Sequence, residues 1–393
     1  MSVWPFRPNW GEPYVERFAH LTEILTTESG REQRRSMRTA ARHTVEYRTM
    51  AAGAEMQALL RSLVTRFDPI VFPDEVRRVS PSVNAVSGAT SVTLAAVPVW
   101  MIEGRDVVFE DTGTRERVLR TIYDITGTVV TFEDAAARAW STMTRIMPAL
   151  TGQLDPKITA SLRTDQLART RVSLMVDPGS DIEIAGAAAT TFNGREVLTL
   201  SPDWGTEPEF EFEDPTEWFD GETGPRSAVR TVDFVTILRR QRYMIFSAAQ
   251  ADALIGLFLR MKGRRGEFYQ PSGRNDFTLM QATTSGTNTW RVAGHEFAEA
   301  YAGDTVHRAF EVRLRSGAVH RFLISGITTG GTTTPYSQIQ TTSNAALTIN
   351  PADVLMISWL PCVRFATDEI EVTWKTDTIA EVTLNTQTLE DLP

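Results

Sequence analysis

One cysteine, Cys362, in 393 residues leaves no partner for an intramolecular disulfide and no Cys-based zinc cluster. The chain must be held by packing, which suits a reducing compartment. Histidine is nearly as scarce: His20, His43, His295, His307 and His320 complete the set, and none forms a recognisable metal pair. The stretch HEFAE at 295–299 starts as a zinc-protease helix motif does, but it ends in Glu where the second His belongs. A Gly-rich phosphate loop, a Gly-x-Ser-x-Gly elbow and a dinucleotide fingerprint are missing too. These gaps argue against an enzyme, and no cofactor or metal is expected. Long apolar runs are also absent: no window reaches the roughly 18 consecutive apolar residues of a membrane span. The opening MSVWPFRPNWGEP has neither the basic start nor the apolar core of a secretory signal, so no membrane anchoring is expected. Positive charge is in deficit, with 40 Lys and Arg against 49 Asp and Glu and a net charge of −9. That balance disfavours a protein whose main task is to grip phosphate backbones.

What remains is an ordinary globular composition, 42% hydrophobic and 23% charged, long enough for two to three domains. The chain also resembles itself. PNWGEP at 8–13 returns as PDWGTEP at 202–208, about half the chain later, making Trp10 and Trp204 candidate anchors at the start of two repeats. VEYRTMAAGAEMQALLRSL from Val45 lies ungapped over YMIFSAAQADALIGLFLRM from Tyr243, a spacing of 198 residues (243 − 45). In that register Thr49 falls on Ser247, two helix N-caps after a strand-like run. Met56, Leu59, Leu60 and Leu63 fall on Leu254, Leu257, Phe258 and Met261, each set spaced as one buried helical stripe. PIVFP then ends at Pro73 and GEFYQP at Pro271, again 198 apart (271 − 73). Further on, SLRTDQLARTRVSL from Ser161 matches TWKTDTIAEVTL from Thr373, with Thr164 and Thr376 separated by 212 (376 − 164). The second copy has therefore gained residues, and SGITTGGTTTPYSQIQTTSN, 325–344, is expected as an exposed inserted loop.

Outside the two helices the pattern is β. Val92–Gly104, Arg171–Val176, Arg195–Leu200, Arg308–Ser316, Glu369–Thr376 and Ile379–Thr386 are rich in Val, Ile, Thr and aromatics and are bounded by turn residues. The expected fold is mainly β with a few helices (α+β): two tandem β-sandwich or barrel domains, each with one packed amphipathic helix. The division is placed at 1–195 and 196–393.

Two charged segments stand out. EPEFEFEDPTEWFDGE, 207–222, alternates Glu209, Glu211 and Glu213 with Phe210 and Phe212. Paired carboxylates beside aromatics occur in glycosidase clefts and calcium sites, but a dense run beside a domain junction reads better as a partner-facing edge strand. SGREQRRSMRTAARH, 29–43, concentrates Arg31, Arg34, Arg35, Arg38 and Arg42, and LRRQR adds Arg239 and Arg240. Arginine grips carboxylates bidentately, so these arginines and glutamates are the candidate subunit interface. Cys362 reads as a small core residue. Trp218, Phe219 and Trp290 beside polar loops leave open a carbohydrate-binding or adhesion module.

WPFRPNW, LTEILTTESGREQRRSMRTAARHTVEYR and FVTILRRQRYMIFSAAQADALIGLFLRMKGRRGEFYQP together resemble minor or distal tail (tail-tip, baseplate) structural proteins of long-tailed bacteriophages. The resemblance implies a non-enzymatic virion component of tail-tube-like domains, made in the host cytoplasm and placed at the tail tip. Implied partners are identical copies in a ring, the tail tube protein and tail hub or fibre proteins, with DNA only in transit. The usual single tube-like unit occurs twice here. On a six-fold tube, three such chains would supply six units, the alternative being a hexamer. The acidic balance suits a channel that repels DNA phosphates.

Overall fold

The computed structural model describes all residues except 1–2, 28–29, 65–68, 183, 185–188, 231, 233, 332 and 391–393. It is 46% strand and 10% helix, the mainly-β α+β class expected. The first half runs β1 (Tyr14–Ala19), β2 (Thr22–Thr26), β3 (Glu32–Ser36), β4 (Arg42–Ala52), α1 (Ala54–Val64), β5 (Ile70–Pro73), β6 (Ser91–Thr93), β7 (Asp106–Glu110), β8 (Arg117–Thr126), β9 (Val129–Phe132), β10 (Arg145–Leu154), β11 (Ala160–Thr164) and β12 (Leu167–Val176). The second runs β13 (Thr191–Phe192), β14 (Arg195–Val197), β15 (Glu209–Glu213), β16 (Thr216–Phe219), β17 (Ser227–Arg230), β18 (Thr236–Ile245), α2 (Ala248–Met261), β19 (Phe268–Tyr269), β20 (Thr289–Ala293), α3 (Glu296–Tyr301), β21 (Ala309–Leu314), β22 (Val319–Gly330), β23 (Tyr336–Thr341), β24 (Val354–Trp359), β25 (Cys362–Phe365), β26 (Glu369–Trp374) and β27 (Ala380–Thr388).

The halves pair their strands in the same order. β1–β4, β2–β3, β4–β12, β5–β10, β10–β12 and β11–β12 are antiparallel pairs. Their counterparts β15–β18, β16–β17, β18–β27, β19–β25, β25–β27 and β26–β27 are antiparallel as well. The segments inserted after β5 and β19 also match. One pairs as β6-β9-β8-β7-β10 and the other as β20-β23-β22-β21-β24. Even the register shifts recur, between Ile122 and Asp124 and between Ile324 and Gly326.

The opening turns coincide in atomic detail. Asn9 N–H donates to the Arg48 carbonyl (2.6 Å), and Asp203 N–H to the Arg242 carbonyl (2.7 Å). Gly11 N–H donates to Asn9 Oδ1 (3.2 Å) and Gly205 N–H to Asp203 Oδ1 (2.9 Å). These equivalents stand 194 residues apart (203 − 9), and so do Trp10 and Trp204 (204 − 10). Trp4 N–H to the Val71 carbonyl likewise answers Leu198 N–H to the Tyr269 carbonyl. The division expected at 195/196 therefore falls within β14, at the head of the second set.

Three expectations change. Thr49 is not a helix cap: it is buried in β4 opposite Thr170, because β12 offers pairing partners as far as Ala52. α1 starts after Gly53, at φ +55°. Ser247 does cap α2, its hydroxyl accepting from Gln250 N–H at 3.3 Å. The equivalence in the strand is thus 194, not 198, and the longer α2, 14 residues against 11, restores 198 by β19. The Thr-rich stretch 325–344 is mostly the hairpin β22–β23, where β-branched residues extend. Of Val92–Gly104 only the start is strand.

Burial follows these patterns. Along β1, Tyr14, Glu16 and Phe18 are buried and alternate with half-buried residues. Leu254, Leu257 and Phe258 of α2 are buried, as are Met56 and Leu59 of α1, while Leu60, Leu63 and Met261 pack at the margin. One core cluster runs from Trp4 to Leu384 and draws on both halves. A second, around Trp290, Phe310 and Trp359, fills the inserted five-stranded sheet.

Candidate subunit interface

The halves meet through β1, which pairs with β4 of its own half on one side and with β26 of the other half on the other. On the inner face Tyr14, Glu16 and Phe18 oppose Trp374, Val372 and Ile370. On the outer face Arg17 opposes Glu371, its Nε donating at 2.7 Å. Beneath the joint Arg77, fully buried, donates to Glu16 (2.6 Å), Asp74 (2.8 Å) and Asp252 of α2 (2.7 Å). Trp374 Nε1–H donates to the other oxygen of Glu16 (2.7 Å). Burial alone would raise the Glu16 pKa, but Arg77 and His43 outweigh it and hold the carboxylate well down, at about 2. Burial also opposes charge on His43, yet Asp181 at 2.8 Å and Glu16 hold its pKa up to about 9.

The hairpin β2–β3 reaches across the same joint. Arg34 Nη1 donates to the Arg265 carbonyl (3.1 Å), and its Nη2 pairs with Glu267. Glu32 receives both Nε and Nη2 of Arg364 (2.8 and 2.7 Å). Thr22 N–H and hydroxyl both donate to Asp368 (2.7 Å each).

This arrangement sorts the residues singled out by sequence. Arg34 is spent on the joint inside the chain, and Arg38 donates to the carbonyls of Ala19 and His20 at 3.2 Å. Arg239 is not at the surface. Position 239 alternates onto the buried face of β18 with Ile237, Gln241 and Tyr243, the guanidinium lies 5.9 Å from the Phe210 ring, and burial lowers its pKa to about 10. Arg31 and Arg35 are exposed, Arg35 opposite Glu23 in the hairpin. Arg240 faces Glu209 across the β15–β18 ladder at 3.4 Å, both exposed. Trp10 stacks on Tyr14 at 5.9 Å, whereas Trp204 is largely exposed. Trp290 is fully buried, its indole N–H donating to Thr341 Oγ1 at 3.3 Å, so it is no sugar-stacking platform. Cys362 is core.

Glu209, Glu211 and Glu213 lie together on β15, which among the described strands pairs only with β18. Phe212, on the same strand, is 67% exposed, whereas its counterpart Phe18 is 0% exposed. Beyond it the hairpin β16–β17 stands out with Trp218 and Phe219 exposed. At the other end of the strand series β15-β18-β27-β26-β1-β4-β12-β11, β11 pairs only with β12 among the described strands, and Leu162 on it is exposed. Sequence reading missed this second edge and the Arg77 cluster. It also missed that the arginine-rich and acidic segments each supply one strand of equivalent hairpins, β3 in β2–β3 and β16 in β16–β17. Thr22-Glu23-Ile24-Leu25 and Thr216-Glu217-Trp218-Phe219 stand 194 apart (216 − 22), a signal that was available.

Among the described residues no group of three His, Cys, Asp or Glu is placed to hold a metal ion, and no helix is long and apolar enough to cross a membrane. No protein-family model matches the chain, and no curated protein matches it either.

Proposed function

We propose that this protein is one tail-tube-like unit written twice, each copy a β domain with a packed amphipathic helix, and that it forms a ring in the tip of a long bacteriophage tail. The observation that carries this reading is the joint inside the chain. There an edge strand of the first copy completes the sheet of the second, while the corresponding edges at the two ends stay unpaired among the described strands. A building block that joins its own copies edge to edge is suited to closed assemblies. Three chains would present six similar units to a six-fold tube, and six chains would place one unit on the channel and the other outside. The ring would join the tail tube to hub or fibre proteins. An acidic channel wall would avoid the counterion-release binding that holds DNA in place.

Imaging of intact particles tests this. The expected result is ring density of this chain between tube and tip, with three or six copies. Density elsewhere, or copies that do not form a ring, would refute it. A second reading as a carbohydrate-binding module rests on Trp218 and Phe219, both exposed on the β16–β17 hairpin. Glycan-array binding lost on Trp218→Ala would favour it.

A further inference from the structure

The joint between the halves specifies a second joint between chains. β1 pairs with β26 in the register Tyr14↔Trp374 to Ala19↔Glu369. β15 is the counterpart of β1 at a spacing of 194, since both the turn before it and its pairing to β18 repeat at that spacing. β11 is the counterpart of β26 at 212: Leu162 opposes Ala168 as Trp374 opposes Ala380. Carrying the β1–β26 register over by these two spacings leaves nothing to adjust. It sets Pro208 opposite Leu162, Phe210 opposite Ala160 and Phe212 opposite Ile158 on one face. On the other it sets Glu207 opposite Arg163, Glu209 opposite Ser161, Glu211 opposite Thr159 and Glu213 opposite Lys157.

We infer that β15 of one copy pairs antiparallel with β11 of a second copy in this register, repeating between chains the joint seen within one. Apolar side chains meet on one face, and both ends of the acidic face meet a cation. The internal joint has the same division, with Phe18 against Ile370 inside and Arg17 against Glu371 outside. A slip of one residue would set Phe212 against Thr159 or Lys157 and mix the faces. Lys157, Ile158 and Thr159, which precede β11, are drawn into the strand. Phe212 loses its exposure as Phe18 has lost its own, and two edges left unpaired among the described strands are covered. The contact is head-to-tail, so every copy offers one free edge of each kind and the assembly propagates until it closes.

This inference rests on the duplication that also underlies the proposed function, and the test separates the two. Full-length Glu211→Cys and Thr159→Cys chains, whose native Cys362 is buried, are mixed and oxidised mildly. The expected product is a heterodimer joined between 211 and 159, and a chain carrying both changes gives a ladder of linked oligomers. Pairing Glu211→Cys with Leu162→Cys is the out-of-register control and links at least tenfold less. Lys157→Glu weakens self-association about two- to fivefold, and adding Glu213→Lys restores it. Rings that form without the 211–159 link would overturn this inference and leave the tail-tip reading standing. A linked ladder that never closes would support the joint and count against the ring. Chains that stay monomeric at high concentration without linking would overturn the joint.

Discussion

Arg77 carries a fully buried charge contact, with one guanidinium holding carboxylates of β1, of the turn after β5 and of α2. Removing it strands those groups without water. Arg77→Leu should therefore cost about 3–5 kcal/mol, read from equilibrium denaturation, far more than loss of an exposed pair such as Arg240 with Glu209. His43 sits beside the same cluster. Its folded-state pKa of about 9 lies above the ordinary 6.5, so its contribution is complete below pH 6.5 and is lost as pH rises through about 9. Stability should fall across that window by about 3 kcal/mol as an upper bound, and His43→Gln should flatten the fall in a pH series of unfolding midpoints. Neither residue is conspicuous in sequence. Arg77 lies in a short acidic-basic run, VFPDEVRR, that reads like any surface turn, and two of its three partners are 61 and 175 residues away.

The two strand–helix elements show how sequence periodicity misleads by one helical turn. An offset of 198 superposes the buried helix stripes, and the true strand offset of 194 differs from it by four residues. Four is close to a full helical turn and is an even number along a strand, so the slip keeps strand alternation in phase and turns the helical stripe by only about 40°. Only the ladder with β12, the preceding Asn9 and Asp203 turns and the helix starts distinguish them. The caps give the test. Ser247→Ala should cost about 1 kcal/mol. Thr49→Ala should leave the helix start untouched, and Gly53→Ala should cost about 1–2 kcal/mol for its left-handed backbone. Thermal unfolding of the three variants would show the order; a helix-content loss in Thr49→Ala equal to that of Ser247→Ala would contradict the assignment.

For the whole molecule, the shared core matters most. Phe18, Tyr14 and Val45 of the first half and Leu254, Phe258 and Trp374 of the second belong to one cluster, and β1 is the seam. Polypeptides 1–194 and 195–393 expressed separately should each expose that cluster and unfold non-cooperatively or aggregate. Produced together, they should associate and recover a cooperative transition, as measured by calorimetry. Two independent transitions from the intact chain would count against a common core. Alternation and cap residues in the sequence by themselves determined that the chain is mainly β, that it repeats, that two amphipathic helices punctuate it and that Cys362 is core, because these follow from local periodicity. The tertiary structure alone decided which edges are paired, that Arg34 is spent on the joint and Arg239 is buried, and that among the described strands the Glu209–Glu213 edge pairs on one side only. Strand pairing over hundreds of residues is set by which surfaces meet, and no local pattern encodes that.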